Sequence, residues 1–451
     1  MKGIITEQEM EMARLCIRYA IGEGASGCRV SLNKSINDSV TFFNGEFDKV
    51  THSSDRSVFI YIFSDNRYGT FSTNRLDEEE LSIFVKKAVE TVRMLEQDCF
   101  RKLPPPERLV RDAGTGLEAG LYDEEYFNED INSRMDKARR MSIFKTLNPA
   151  GEYVPISEEC EYSDSIEDNY LIDSNGLEAR HIETTAGTFC EYNVADCHGN
   201  KYSDYANKTA VRASDLDLGF CSRKALSKVL RSFNPAPSRG GRHRMVVDKD
   251  VASRLISPVF SALSSYSLQQ KVSFLNDSLG KKIFTEKLTI IDYARQVGKA
   301  GCRLFDSEGV ATKDSPIILN GVVKTYFTDT YMAGKTGFEA TIEDISRPTI
   351  LSTAPQGMEF GADEMIRSFR NGIYVTGFNG GNCNSVTGDF SFAIEGFKFS
   401  GGKIVHPVKE MLITGNLIDL WNSLEAAGND WRDYTRWQVP SLVFNDVTFS
   451  A

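Results

Sequence analysis

A chain of 451 residues is longer than one hydrophobic core usually organises, so two or three domains of roughly 100–200 residues are expected. Hydrophobic residues at 41% and charged residues at 25% are near globular averages, and the longest apolar runs, such as SVFIYIF from Ser57, fall well short of the roughly 20 residues of a bilayer span. A net charge of −11 leaves no cationic footprint for a phosphate backbone, so direct nucleic-acid binding is disfavoured together with membrane insertion.

The opening MKGIITEQEMEMARLC lacks the apolar region of a signal peptide, and nine cysteines occur without a Cys-x-x-Cys pair, which together point to the cytoplasm. From Glu7 to Gly22, Met10, Ala13, Leu15, Cys16, Ile17, Ala20 and Ile21 recur at helical spacing before the glycine-rich stop GEGASG. Val30, Leu32, Val40 and Phe42 then alternate with polar neighbours, and the turn signals NG at 44 and DNRYG at 65 predict an antiparallel meander. Leu76–Gln97 reads as an amphipathic helix, with acidic residues in its first turn and Leu81, Phe84, Val85, Ala88, Val89, Val92 and Leu95 on one face. KLPPPERLVRDAGTG is the strongest linker signal. Beyond it come a helix over about Asp130–Leu147 and strands from 151 onward, with hairpin turns at NG 175 and HGN 198. After FNPAPSRGGRHRM at 233–245, one helix over about Lys249–Ser265 precedes short strands closed by glycine turns.

The expected class is therefore α+β, with an N-terminal antiparallel sheet and long helices and a C-terminal, mainly antiparallel β domain of barrel or sandwich type. The domains expected are 1–112, an N-terminal α+β domain; 113–235, a helix plus strands packed with it; and 236–451, the β-rich domain.

Candidate chemistry is sparse. His181 and Glu183 in HIETT lack the second histidine of a zinc-peptidase helix, and they lie in a strand-like stretch. Cys190, Cys197 and His198 offer soft metal ligands at a spacing that fits no common zinc knuckle, so packed thiols are the simpler reading. Asp306 and Glu308 could form an acid–base pair, but FDSEGVAT reads more simply as a solvated turn. Cys383, in GFNGGNCNSVTGDFSFAIEGF, would need a nearby base and a lowered thiol pKa to act as a nucleophile. The plainer reading is a turn leading into a strand, with Cys383 a small buried residue.

Longer blocks carry a family resemblance. RYGTFSTN at 67, KLPPPERL at 102, FDSEGVAT at 305, ILNGVVKTYFTDTYMAGK at 318 and NCNSVTGDFSFAIEGFKFSGGKIVHPVKEMLITGNLIDLWNSLEAAGND from 382 resemble the TldD/PmbA family, in its PmbA or TldE branch, over essentially the whole chain. Proteins of this family bear the name modulator of DNA gyrase and are understood as subunits of a cytoplasmic metallopeptidase. In the TldD branch the metal is held by a His-Glu-x-x-x-His helix and by a cysteine shortly after the GND segment. The matching helix here, DKDVASRLISPVFSALSS, contains neither His nor Glu, and WRDYTRWQVPSLVF after Asp430 contains no Cys.

The resemblance thus implies a non-catalytic subunit that binds no cofactor itself. Zinc is expected in a TldD-like partner, and extended or unfolded peptides are the expected substrates; a homodimer of the isolated chain is also allowed. It places Asn382, Cys383, Asn384, Thr387, Gly388, Asp389, Phe390 and Ser391 near the substrate channel or the subunit interface. The alternatives are a stand-alone hydrolase that depends on Cys383 and a protein-binding modulator of gyrase.

Overall fold

The computed structural model describes residues 3–147 and 153–451, so the start of the strand expected from 151 lies outside the described residues. Packing divides the chain into two units, one of residues up to Arg231 with Arg295–Thr312, the other of Ser232–Ala294 with Lys313–Ala451.

In the first unit, Thr6 and Glu9 close a reciprocal capping box at the start of α1 (Glu7–Gly22), which satisfies helix N–H groups that would otherwise lack partners. Strands β1 (Gly27–Phe43), β2 (Glu46–Ser64) and β3 (Arg67–Thr73) form the expected meander. Asn44 and Gly45 at one turn, and Asp65 and Asn66 at the next, all have positive φ, the condition for two-residue turns that match strand twist. Then follow α2 (Glu78–Val92), α3 (Ile131–Met141), β4 (Tyr153–Asp173), β5 (Glu178–Asp196), β6 (Lys201–Ala210) and α4 (Phe220–Arg231).

The sheet order is β3-β2-β1-β4-β5-β6, antiparallel throughout. Because β4 pairs with β1 from Asp173 opposite Arg29 to Glu159 opposite Phe43, the first hundred residues and the central segment share one sheet. Met10, Ala13, Cys16 and Ala20 of α1 and Leu81, Val85, Ala88 and Val92 of α2 pack on Val30, Leu32, Val58, Ile60 and Ile62. These are alternate residues of β1 and β2, as the period of two requires. The proline-rich segment does not behave as a solvated linker: Leu109, Val110 and Ala113 are buried with Leu304 and Phe305, and Val110 N–H donates to Gly309 C=O at 2.9 Å.

The second unit contains β7 (Gly241–Val247), α5 (Ser253–Ala262), α6 (Ser265–Gln269), β8 (Ile290–Asp292), β9 (Ser315–Leu319), β10 (Val322–Val323), α7 (Thr330–Thr336) and β11 (Pro348–Ile350). It continues through α8 (Ala362–Phe369), β12 (Gly372–Phe378), β13 (Asn382–Cys383), β14 (Asp389–Ser400), β15 (Lys403–Pro407), β16 (Met411–Asn416), α9 (Leu417–Asn422), β17 (Leu424–Ala427) and β18 (Leu442–Ser450). The strands run β12-β7-β18-β16-β14, and β12 pairs again with β14, so five strands close into a barrel. The barrel form, and not the sandwich, is thereby selected. Trp421 of α9 is fully buried in the core packed on these strands, set edge-on to Phe444 at 5.3 Å, with its indole N–H on Leu255 C=O at 3.2 Å.

The helix expected over Lys249–Ser265 is shorter than its apolar pattern suggests. Ser264 takes an extended conformation and separates α5 from α6. Helices α4 and α6–α9 have no counterpart in the sequence reading. The signal for α4 was present, since buried Cys221, Ala225 and Val229 repeat every four residues. The others are short and are set by caps such as Asp329 and Asn416.

Candidate functional site

Helix α5 buries Leu255, Ile256, Val259 and Phe260, and its interior Pro258 lacks the N–H that would reach the carbonyl one turn back. The segment that follows Gly428 is anchored by side chains. Asp430 accepts from Ser441 N–H at 2.9 Å and from its hydroxyl at 2.8 Å, while Asn429 accepts from Phe360 N–H at 2.9 Å and donates to Met358 C=O at 2.7 Å. Gly428 has no room for a side chain, because a Cβ there would stand 2.4 Å from Phe360 C=O. The chain then turns so that Trp437 stacks on Phe260, ring centroids 5.8 Å apart and planes at 29°.

The fold thus brings together the two segments to which the resemblance assigns the metal ligands, and it joins them through two aromatic rings. A catalytic zinc needs about three His, carboxylate or Cys ligands. Helix α5 supplies none of these, and Trp431–Val439 supplies neither His nor Cys. Among the described residues, no group of three or more His, Cys, Asp or Glu is arranged to hold a metal ion. The residues present do not fit zinc.

Beside α5 lies the signature turn. Asn382 pairs with Ser391 and Cys383 with Phe390, so the stretch is a hairpin that feeds β14. Asn384 accepts from Val386 N–H at 2.9 Å, Thr387 Oγ1 donates to Asp389 at 2.7 Å, and Asn416 Nδ2 donates to Thr387 C=O at 2.7 Å and to Asp389 at 3.0 Å. The hydrogen bonds from Asn416 and Thr387 hold the Asp389 carboxyl below its usual range. Buried Phe390 faces the core, while Asn382, Asn384, Thr387, Asp389 and Ser391 are exposed, and the buried Gly388 lies against the Phe274 ring. Arg254 of α5 ties the helix to this hairpin, donating to Gly381 C=O at 3.2 Å with its guanidinium 5.3 Å from the Phe392 ring centroid. Neither Arg254 nor the Phe260–Trp437 stack was identified from sequence, because neither carries a motif. Their signal is only that arginine and aromatic residues stand in the two segments where ligands were sought.

The remaining candidates are dispersed. Cys383 is half-buried; burial and the Asp389 carboxylate both push its thiol up, against the needs of a nucleophile. His181 and Glu183 sit two apart in β5, 3.4 Å from each other, as ordinary strand neighbours. Cys190 is buried against Cys160, Sγ to Sγ 2.9 Å, whereas Cys197 and His198 lie in the turn beyond β5. Asp306 closes a turn by accepting from Glu308 N–H at 3.0 Å and Val310 N–H at 2.9 Å, but it is 2% exposed, so that turn is not solvated as expected.

Residues 240–451 match the PmbA/TldA metallopeptidase C-terminal domain, and residues 28–92 match PmbA/TldA metallopeptidase domain 1. A crystal structure from Bacteroides thetaiotaomicron, named as a candidate modulator of DNA gyrase, is similar with a TM-score of 0.92 and 36% identity, over 99% of this chain and 100% of that one. TldE from Thermococcus kodakarensis shares the fold, with a TM-score of 0.81 at 18% identity over 98% of this chain and 100% of the other. Metalloprotease PmbA of Escherichia coli O157:H7 is 26% identical over 98% of this chain and 96% of that protein. With both domain matches and a relative this similar along its full length, the chain belongs to the PmbA/TldD family.

Proposed function

We propose that this chain is the non-catalytic, TldE-like subunit of a cytoplasmic two-subunit zinc peptidase. In that assembly it shapes the channel of a TldD-like partner, which holds the metal and cleaves peptides or unfolded proteins. The observation that carries this reading is the Phe260–Trp437 stack, which occupies the meeting point of the family's two ligand-bearing segments without a donor for zinc. The names of the curated relatives point to proteolysis, and a subunit without ligands reconciles those names with this donor set. We assign the exposed hairpin residues Asn382, Asn384, Thr387, Asp389 and Ser391, together with Cys383, Gly388 and Phe390, to the surroundings of the channel or the subunit interface. An extended peptide would be held there by backbone hydrogen bonds, a mode tolerant of side-chain identity.

The test is a peptidase assay on unfolded protein and on short peptides, with the chain alone and co-purified with a subunit that carries the His-Glu-x-x-x-His helix. Activity is expected only in the pair, and it is abolished by a chelator. Robust activity of the isolated chain with stoichiometric zinc would sink the reading.

A Cys383 hydrolase is less favoured because the thiol is raised and its contacts include no imidazole. The gyrase-modulator names belong to the solved relatives. A net charge of −11 argues against a DNA-contacting form of that activity but leaves a protein-protein form to a binding assay with the purified gyrase subunits.

A further inference from the structure

Over β4 and β5, the sheet of the first unit carries α3 and α4 on the face to which even-numbered residues point. Cys190 meets Ser222 of α4 with 3.2 Å between side-chain atoms, and Asp164 accepts from Arg134 of α3 at 2.8 Å. Odd-numbered residues form the opposite face, and strand pairing sets them in rows. One row runs Phe43, Glu159, Glu191, Tyr205 across β1, β4, β5 and β6, and the next places Glu161 beside Phe189. Phe43 is 45% exposed and Tyr205 54%, while Phe189 and the three glutamates are half-buried, so this face is open to solvent.

A solvated antiparallel face is ordinarily polar, with both signs of charge interspersed. This one departs from that in two respects. Glu159 stands directly opposite Glu191, where like charges destabilise a strand pair, and Glu161 is diagonal to Glu191, within reach of a shared cation. Among the described residues no Lys or Arg is paired with any of the three: Glu161 accepts from Thr41 at 3.3 Å and Glu191 from Asn193 at 3.4 Å. Lys49 joins the row through Thr41 only on β2, two strands from Glu161. The second departure is aromatic. Phe189 and Tyr205 have ring centroids 5.9 Å apart beside these carboxylates, and the Lys228 ammonium stands 5.2 Å from the Tyr205 ring, which stays half exposed all the same. Carboxylates hold an ammonium or guanidinium by charge, and aromatic rings hold it by their quadrupole while covering its aliphatic stem.

Glu159 and Glu161 follow each other at the two-residue period of a strand, about 7 Å, which is also the spacing of alternate side chains in an extended chain laid along β4. We propose that this face docks an extended polypeptide segment with lysine or arginine at alternate positions. Its cations lie between Glu159, Glu161 and Glu191, and its stems pack on Phe43, Phe189 and Tyr205. Nucleic acids and anionic membranes are repelled by the same carboxylates. The surface belongs to this chain alone, so the proposal does not depend on the subunit role above.

Fluorescence anisotropy of labelled peptides titrated with the full chain measures it, using an alternating Lys-Ser peptide and its Gln-Ser counterpart. The lysine peptide is expected to bind more tightly and to weaken with added salt. Glu159→Gln, Glu161→Gln and Glu191→Gln together should weaken it about tenfold, with a urea midpoint no lower than wild type because the like-charge opposition is gone. A control with the same change in net charge, Glu79→Gln, Glu90→Gln and Glu96→Gln, whose carboxylates are exposed in or just after α2, should change binding less than about twofold. Carbodiimide coupling of the bound peptide to the wild type, read by mass spectrometry, should join its lysines to Glu159, Glu161 or Glu191. Equal binding of the two peptides, equal losses in the two triple variants, or coupling confined to other carboxylates overturns the proposal. Capture of a folded basic protein without binding of the extended peptide assigns the face to that partner and likewise overturns it.

Discussion

Phe260 of α5 and Trp437 stack with centroids 5.8 Å apart, and this contact ties the helix to the segment beyond Gly428, as do the ion pairs Lys249–Asp430 at 3.7 Å and Arg432–Asp250 at 3.9 Å just before the helix. Phe260 is 5% exposed, so Phe260→Ala should cost about 3–5 kcal/mol in a denaturant titration. A double-mutant cycle with Trp437→Ala should return a coupling of about 0.5–1.5 kcal/mol. Additive losses would mean that the rings touch without supporting each other.

Gly381 and Gly380 separate backbone freedom from space. Both have positive φ, at +87° and +80°, but a Cβ on Gly381 would stand 2.0 Å from Ser391 C=O, whereas one on Gly380 meets nothing within 4 Å. Gly380→Ala should cost about 1 kcal/mol, the ordinary penalty of that backbone region. Gly381→Ala must also open the pairing of Asn382 with Ser391, so it should cost more than about 2 kcal/mol and lower the melting temperature further. Equal shifts in the two variants would count against the hairpin described here.

Burial and Asp389 raise the Cys383 thiol above its ordinary value of 9.0. Its alkylation by iodoacetamide should stay slow through neutral pH and rise only above about pH 9, because the thiolate is the reacting species. Mass spectrometry of the labelled peptide checks this, and a plateau of fast labelling below pH 8 would revive the nucleophile.

Burial alone would push the Glu9 carboxyl up, but the Thr6 N–H, Lys34 and Arg56 outweigh it and hold the carboxyl below 4.5. A carboxyl whose folded pKa is depressed stabilises the fold above its unfolded pKa and loses that contribution as pH falls through the folded value. Wild type should therefore lose stability below about pH 4.5 more steeply than Glu9→Gln, while the variant is the weaker at pH 7. Urea midpoints at pH 7 and pH 3.5 make the comparison. Parallel acid limbs would remove Glu9 from the acid sensitivity of this helix cap.

Legibility followed the range of each interaction. Helix α1 was readable to its ends because its periodicity and its glycine stop are both local. The hairpins at Asn44-Gly45 and Asn175-Gly176 were readable for the same reason. Helix α4 was legible in principle through Cys221, Ala225 and Val229, but no element was assigned between the strands before it and the break after it. Asp306 looked solvated because turn aspartates usually are; its burial depends on Leu304, Val310 and neighbours distant in sequence.

The sequence by itself determined family membership and the lack of His and Glu in DKDVASRLISPVFSALSS and of Cys in WRDYTRWQVPSLVF, since donor chemistry is a property of residue type and the long C-terminal block is a property of order alone. Tertiary structure decided the rest. Barrel closure rests on β12 pairing with both β7 and β14, Phe260 meets Trp437 across 177 positions of chain, and β3 pairs with β2 only over Val58–Ser64. Each of these contacts is bought with loop-closure entropy and rewarded only once the whole sheet or core is in place, so no local pattern announces it.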